Sequence, residues 1–526
     1  DLALIIYPNA GILLVGDFNK CPISSLLRHF SLKQIVKAPT RKEAILDLIL
    51  TNMSNFCSPV NIIAPLGCSD HNSVLFSLLK TNSRNQYNKV TIRQGNARAK
   101  CCFNEWLTGI NWRDLYQTVS CEKKLNMFYN VIESGLDHFL PKKTVKMHVS
   151  DKPWLTPNYK NLIAKRQKAF RRGNRPLYCK LRNQCIRESK RLKSTFLNSK
   201  LNELKSNKNS KKWWDTVKQL GGYPKKQLPL TIVSEGKTIS GNNLAEEINT
   251  AFVHVTQHLE PIRCAPLDVH NGDVYLETPS EFIISEIDVY SKLSTISTLK
   301  SAGPDLIPNW VLKCNSLVLA LPIASILNAS IQQSLVPTIW KRADVIPIQK
   351  GKCLRDINTD LRPISLTPTM AKICEGFVAD WLMKSIINQI DERQYGSLKR
   401  SSTTHALLSF IHFLLNKSDE PKNVIRIFLL DFAKAFDHID HNILLRKLSS
   451  MSVPQIIINW ITNFLTGREQ RVKIGPCISG WQKLNGGVPQ GTVLGPILFL
   501  VMINDLLEGW QDRWKYVDDT NVAECV

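Results

Sequence analysis

No stretch of the 526 residues runs to 18 apolar side chains, which excludes a conventional membrane-spanning helix. The sequence opens with Asp1-Leu2-Ala3-Leu4-Ile5-Ile6, an opening that shows no initiator methionine, charged leader or small-residue cleavage site. Nothing therefore reads as a signal peptide, and the opening reads as the middle of a fold, so the chain is expected to be a fragment. The 14 cysteines include no CxxC pair and no Cys/His spacing suited to zinc. Most stand singly in apolar runs, such as Cys353, Cys374 and Cys477. They are expected to be buried thiols of a reducing compartment rather than a disulfide framework. Internal repeats and low-complexity tracts are also missing. What is present is an ordinary core-forming composition: 43% apolar residues exclude a disordered chain. The length allows about two to four domains.

Negative charge is scarce where positive charge is dense. The formal net charge is +24. Residues 142–226 hold 25 Lys/Arg against 4 Asp/Glu, a net of +21. A chain this basic needs an acidic partner, and nucleic acid is the usual one. Within this segment Thr156 reads as an N-cap with Pro157 at the first helical position, and a second helix starts near Pro176. Leu177, Leu181, Leu192, Phe196, Leu201 and Leu204 fall near helical spacing with Lys and Arg between them. The bland reading is a solvated face on a helical hairpin; the charge density favours contact with nucleic acid. Trp213-Trp214 could stack on bases, but anchoring the helix to a core is the favoured reading.

Residues 1–80 alternate apolar runs with polar turns. Ile12 to Val15 reads as a short buried strand running into Gly16-Asp17-Phe18-Asn19, with further strands at Ile45–Leu50 and Ser73–Leu79. This is the pattern of the edge of a layered α/β domain. Residues 81–150 are uninformative. From about 225 the composition becomes ordinary, with helical patterns around 280–300 and 316–332.

Two acidic signals carry chemistry. In Ile427-Phe428-Leu429-Leu430-Asp431-Phe432-Ala433-Lys434-Ala435-Phe436-Asp437 a buried strand is expected to end in Asp431, with a helix soon after. In Trp514-Lys515-Tyr516-Val517-Asp518-Asp519, 87 residues from Asp431 to Asp518, a tight hairpin would expose adjacent carboxylates. Adjacent acids repel, so a purely structural role is hard to justify. Two Mg²⁺ ions about 3.5–4 Å apart would neutralise them and clamp the attacking and leaving oxygens of a phosphoryl transfer. Between the two lies Gly486-Gly487-Val488-Pro489-Gln490-Gly491, a loop whose glycines allow close backbone approach, followed by an apolar run suited to a core helix.

Together these residues resemble the reverse transcriptases of non-LTR, jockey-like retrotransposons. Asp431 to Asp437 is similar to the first palm motif, Gly487 to Phe499 to the Pro-Gln-Gly motif and Tyr516 to Asp519 to the Tyr-x-Asp-Asp motif. Upstream, Ser301 to Pro308 resembles the motif that opens the polymerase region. Ala343–Lys350 and Leu361–Leu366 resemble finger strands, and Gln394-Tyr395-Gly396 with Ser402-Thr403-Thr404 the segment before the palm. These seven matches stand in the family's order over roughly 280–526. The resemblance implies an α+β fold with right-hand-like fingers and palm over 226–526, truncated before the thumb. A basic helical linker at 81–225 and the C-terminal part of an endonuclease/exonuclease/phosphatase-like domain at 1–80 would precede it.

It also implies roles. Asp431, Asp518 and Asp519 would be catalytic and hold the metals, with the Phe432 carbonyl as an extra ligand. Arg362 and Lys350 would grip the triphosphate, and Gln490 and Gly491 would line the nucleotide. Phe436, five residues after Asp431, would fill the space of a 2′-hydroxyl and select deoxynucleotides. Implied partners are an RNA template, a DNA target and primer, and deoxynucleoside triphosphates, used in target-primed reverse transcription in nucleus and cytoplasm, with no membrane. In the nuclease part, Gly16-Asp17-Phe18-Asn19 and Ser69-Asp70-His71 resemble two motifs of that fold, and Asp47 an intervening acidic position. Asp17 and Asn19 would contact the phosphate or its nucleophile, and an Asp beside His71 would orient its ring as a base.

The sequence departs from the family in places. It stops at Val526, seven residues past Asp519, before the later palm motif, primer grip and thumb, and the nuclease's metal-binding Glu is not found. The fragment is therefore expected to be inactive by itself. Ser397 stands where the family has Phe, which should loosen local packing. An RNA-dependent RNA polymerase would place an Asp where Phe436 stands; a group II intron maturase lacks this type of nuclease. A domesticated, non-catalytic copy would be expected to lose palm acids, and all three are present.

Overall fold

The structure is a computed structural model that describes residues 11–19, 21–66, 69–78, 87–93, 97–148, 151–206, 210–221, 231–234, 237–262, 278–351, 354 and 356–526. The chain divides into two units, residues 1–89 with 146–226 and residues 90–145 with 227–526. The segment 81–225, expected as one linker, thus contributes to both.

In the first unit, strands β1 (Leu13–Asp17), β2 (Lys33–Gln34) and β3 (Asp47–Thr51) form an antiparallel sheet in the order β1-β3-β2. Strands β4 (Asn61–Ile63) and β5 (Ser73–Leu75) form a second antiparallel pair. The expectation of a buried first strand fails: Val15 is 59% exposed, and among the described residues β1 is the sheet edge. β3, the central strand, buries Ile49 and Leu50 instead. The helix Pro157–Arg171 begins where Thr156 accepts a hydrogen bond from the Tyr159 amide (3.2 Å), an N-cap with Pro157 behind it. The helix Arg175–Ser206 packs back on it, with Ala169, Phe170, Tyr178 and Leu181 in the small shared core. Trp213 and Trp214 are not core anchors. They sit edge to face on the helix Ser210–Leu220, 39% and 54% exposed.

The second unit owes its core to helices whose apolar faces pack together. Helix α1 (Ala97–Thr108) and helix α2 (Cys121–Phe139) come from the stretch that is uninformative in sequence. α2 buries Leu125, Phe128, Ile132 and Leu136, a stripe at helical spacing. It meets helix α3 (Ser316–Gln332), which is apolar all round and buries ten residues. The Cys121 amide donates to Gln333 Oε1 (3.1 Å) and Lys124 Nζ to Ser325 Oγ (2.7 Å), fixing that packing. Helix α4 (Thr369–Ile386) completes the same cluster. Strands β6 (Arg342–Gln349) and β7 (Leu361–Leu366), both expected as strands, form an antiparallel pair, and β6 also pairs in parallel with a later strand, Glu469–Ile474. No helix among the described residues is long and apolar enough to cross a membrane.

Helix α5 (Thr403–Ser418) lies on a three-stranded antiparallel sheet ordered Ile425–Leu430, Asp519–Cys525, Arg513–Tyr516. The first of these strands, expected to be buried, is an edge strand, and Ile427, Phe428, Leu429 and Leu430 are 43–74% exposed. The helix expected soon after Asp431 is delayed. Turns run to Asp440, whose carboxylate accepts from the Asn442 (2.7 Å) and Ile443 (3.2 Å) amides and starts helix α6 (His441–Ser450). The apolar run after the Pro-Gln-Gly motif does form a buried helix, α7 (Gly495–Met502).

The described cysteines are free thiols, but burial is uneven. Cys121, Cys185 and Cys374 are buried, Cys477 is half-buried, and Cys21, Cys101, Cys314 and Cys525 are exposed. Cys353 lies outside the described residues. Ser397 is exposed at φ +60°, and its neighbour Tyr395 is still anchored, donating from its hydroxyl to Ser409 Oγ (2.9 Å).

Candidate active site

Strand register brings the distant acids to one sheet end. Leu430 pairs with Thr520 across the sheet, so Asp431 follows at the level of Asp519. Tyr516 pairs with Asp519, which leaves Val517 and Asp518 as a two-residue hairpin turn. Val517 has φ +59°, a costly conformation for a β-branched residue. The Asp519 carboxyl is pushed up from its ordinary value, first by burial and then by the negative charges of Asp518 and Asp431. That mutual repulsion marks the three as one acidic patch. No described Lys or Arg forms an ion pair with any of them, and the all-oxygen donor set is of the kind that suits Mg²⁺. The side chains are more widely spread than a closed ligand set: among the described residues only Asp17, Asp47 and His71 bring three ligand atoms within 4.8 Å of one another. Phe432, whose carbonyl is expected as an extra ligand, is 39% exposed beside Asp431.

The nucleotide candidates are stitched together by main-chain hydrogen bonds. The Val488 amide donates to the Phe436 carbonyl (2.8 Å), the Gly487 amide to the Ile439 carbonyl (2.9 Å) and the Ser365 amide to the Gln490 carbonyl (2.7 Å). Gly491 has φ +120°, and a Cβ there would lie 2.6 Å from the Ser365 carbonyl oxygen, so only glycine lets loop and finger strand approach this closely. The Phe436 ring stacks on Phe499 of α7, centroids 4.8 Å apart. Arg362 is exposed on β7 opposite Ile348, and Lys350, also exposed, follows β6.

Sequence reasoning misses three residues of this region as functional candidates. Asp437, inside the first palm motif, lines a narrow cavity with Pro363, Ser365, Gly487 and Gln490. Burial pushes its carboxyl up to about 6, opposed by Lys434, a hydrogen bond from Gln490 and the charge of Lys350. His441 is buried, and its Nε2 donates to the Gly487 carbonyl (2.7 Å). Glu375, with no signal in sequence, accepts from the Val493 (2.7 Å) and Leu494 (3.3 Å) amides at the start of α7.

In the first unit, register again decides. Asp17 pairs with Asp47 across β1 and β3, and His71 Nδ1 lies 2.8 Å from Asp47 Oδ2. With Nδ1 so bonded, Nε2 is left as the base or ligand atom. A cavity of about 300 Å³ opens here, lined by Val15, Asp17, Asp47, Leu66, Ser69 and His71. The orienting acid is therefore Asp47, not the adjacent Asp70, which instead pairs with Arg41 (2.6 Å) at the surface. Asn19, at φ +47°, donates its amide to Asp17 Oδ1 (3.1 Å).

Comparison with known proteins gives this geometry a family. Residues 348–524 match the family described as reverse transcriptase (RNA-dependent DNA polymerase). The chain is 28% identical over 262 residues to the RNA-directed DNA polymerase from mobile element jockey of Drosophila melanogaster, covering 48% of this chain and 28% of that protein. It is 24% identical over 366 residues to the probable RNA-directed DNA polymerase from transposon BS of the same fly, covering 67% of this chain and 40% of that protein. A probable RNA-directed DNA polymerase from transposon X-element, also of Drosophila melanogaster, is 27% identical over 263 residues, 48% of this chain and 28% of its own length. The chain thus spans well under half the length of the curated relatives it matches. Residues 348–524 are a reverse transcriptase domain, and the chain that carries them is similar to the polyproteins of jockey-like non-LTR retrotransposons.

Proposed function

We propose that this chain supplies the fingers and palm of an RNA-directed DNA polymerase from a jockey-like non-LTR retrotransposon. It would be part of a longer protein working by target-primed reverse transcription in nucleus and cytoplasm. The observation that carries the reading is the register of the palm sheet: Asp431 follows the Leu430–Thr520 pair, and the Asp519 carboxyl feels the charges of Asp518 and Asp431. Asp431 and Asp518 would hold Mg²⁺, with Asp519 and the Phe432 carbonyl completing the ligand set. When bound, the ions would lower the barrier to attack of a primer 3′-oxygen on an α-phosphate. Arg362 and Lys350 would grip the triphosphate as fixed cations. Gln490 and Gly491 would line the base and sugar, held against the finger strand through Ser365. Phe436, kept in place by Phe499, would close the space beneath C2′.

Residues 1–80 would be the C-terminal part of an endonuclease of the endonuclease/exonuclease/phosphatase type. Asp17, Asp47 and His71 would form its ligand patch, with Asn19 and Asp70 beside it. The basic helices Pro157–Arg171 and Arg175–Ser206 would hold the RNA template or the DNA target. The test is primer extension on an RNA template with deoxynucleoside triphosphates and Mg²⁺, using the protein together with its downstream sequence. DNA synthesis is expected, and Asp431→Asn or Asp518→Asn should abolish it. RNA-templated synthesis that survives Asp518→Asn would refute the assignment.

A further inference from the structure

Three residues before Asp518, Lys515 is 0% exposed on the strand that leads into the acidic turn. Its Nζ meets Asp391 Oδ2 at 2.6 Å and donates to the carbonyls of Ile503 (3.3 Å), Asn504 (2.8 Å) and Leu506 (3.1 Å). Those carbonyls follow the carboxyl end of α7, whose other end begins at the Pro-Gln-Gly loop. Asp391 also receives both arms of Arg513, Nε at 2.9 Å and Nη2 at 3.0 Å. Its amide donates to Asn504 Oδ1 (2.9 Å), again at the end of α7.

The chain after Asp391 then runs alongside the acidic strand. The Lys515 amide donates to the Arg393 carbonyl (2.9 Å), and the Tyr395 amide to the Lys515 carbonyl (2.8 Å). Gln394, itself buried, accepts through Oε1 from the Gly396 (2.8 Å) and Val517 (3.3 Å) amides. A Cβ on Gly396 would lie 2.4 Å from the Val517 nitrogen, so the segment is pressed against the strained turn residue itself.

A buried ion pair is a poor way to gain stability, since an apolar side chain would fill the same space without desolvating two charges. Its use is to fix one arrangement. Here it fixes the height of the Val517–Asp518 turn, and of Asp519 after it, against the far end of the helix that starts at the nucleotide-lining loop. We infer that Lys515 and Asp391 are positioning residues that hold the metal-binding turn at a set offset from the Pro-Gln-Gly loop. Gln394 and Gly396 brace the turn at Val517. This rests on the reading of Asp431, Asp518 and Asp519 as metal ligands.

The test is Mn²⁺ binding, followed by electron paramagnetic resonance, on the 526-residue chain carrying Asp17→Asn, Asp47→Asn and His71→Ala together to remove the ligand set of the first unit. Urea midpoints are measured alongside. Lys515→Met and Asp391→Asn are each expected to weaken Mn²⁺ binding about ten-fold, the scale of removing a group that supports a metal ligand. Leu125→Ala, a buried change on α2 in the same unit, should lower the urea midpoint and leave Mn²⁺ affinity unchanged. Should Lys515→Met fail to fold, Asp391→Asn decides alone, since it keeps the shape of the side chain. A folded Asp391→Asn that binds Mn²⁺ as tightly as its parent overturns the inference. If Asp518→Asn leaves Mn²⁺ binding intact, the palm reading itself is at fault and the inference falls with it.

Discussion

Neutralising the basic hairpin should change how binding responds to salt, by an amount the structure lets us work out. On the helix Pro157–Arg171 and the turn after it, Lys165, Lys168, Arg171 and Arg172 are exposed and form no ion pair among the described residues. Arg166 differs: it is half-buried, with its Nε shielded from solvent, and is left in place. Replacing the four with Gln preserves helix propensity and removes four charges. Each phosphate interaction removed on single-stranded RNA should flatten the log–log salt slope by about 0.7, or roughly 2.8 for all four. Raising salt from roughly 50 to 200 mM should then cost the parent about 50-fold more affinity than the variant. Fluorescence anisotropy with short labelled RNAs of several sequences would measure this, with circular dichroism to confirm helicity. The weakening should be alike for all sequences, because phosphate interactions carry no base information. An unchanged slope in a folded variant would refute the reasoning and leave these charges as a solvated face. Weakening confined to one RNA would point to shape or base recognition.

Asp305, in the motif Ser301 to Pro308, accepts from the Tyr129 hydroxyl (3.2 Å) while its Oδ1 is buried without a partner. Burial pushes its carboxyl up to about 6, so the fold favours the protonated acid. A folded value above the unfolded one means that the contribution of Asp305 to stability is fully present below about pH 4 and is lost as pH rises through about 6, a gap worth up to about 3 kcal/mol. Asp305→Asn should therefore raise the urea midpoint on the alkaline side of that window and not on the acid side; an equal effect on both would refute the argument. Phe436→Val, in protein with its downstream sequence, should lower the ratio of deoxy- to ribonucleotide incorporation, on the order of ten-fold. An unchanged ratio would mean that Phe436 is not the gate. In a chain carrying Asp518→Asn, His71→Ala should weaken Mn²⁺ binding at the β1–β3 patch about ten-fold; unchanged affinity would show that His71 is no ligand there.

The acids are legible because the chemistry proposed for them demands particular residues at strand ends. Asp431, Asp518 and Asp519 can be named before any register is known, and register then sets Asp431 beside Asp519. Helix α3 is legible for a similar reason, since an apolar run of helical length has few other ways to fold. Edges are not legible. The runs at Leu13–Val15 and Ile427–Leu430 read as buried strands, yet both are edge strands with large exposed side chains, and a sequence does not say which strand is outermost. Residues 97–139 are opaque because their partner, α3, is remote in sequence: Cys121 bonds Gln333, and Lys124 bonds Ser325. The acid that orients His71 is misread because adjacency in sequence is not adjacency in space; Asp47 reaches it from a strand.

Lys515 shows what pattern reading passes over at a site. In Arg513-Trp514-Lys515-Tyr516 alternation puts Trp514 and Tyr516 on one face and Arg513 and Lys515 on the other, and nothing in that pattern signals that the charged face is covered. That face is occupied. Asp391 and three carbonyls beyond α7 enclose the ammonium, and Arg513 reaches Asp391 from the same side. A charge hidden in this way becomes visible only when its partner, 124 positions upstream, is folded against it.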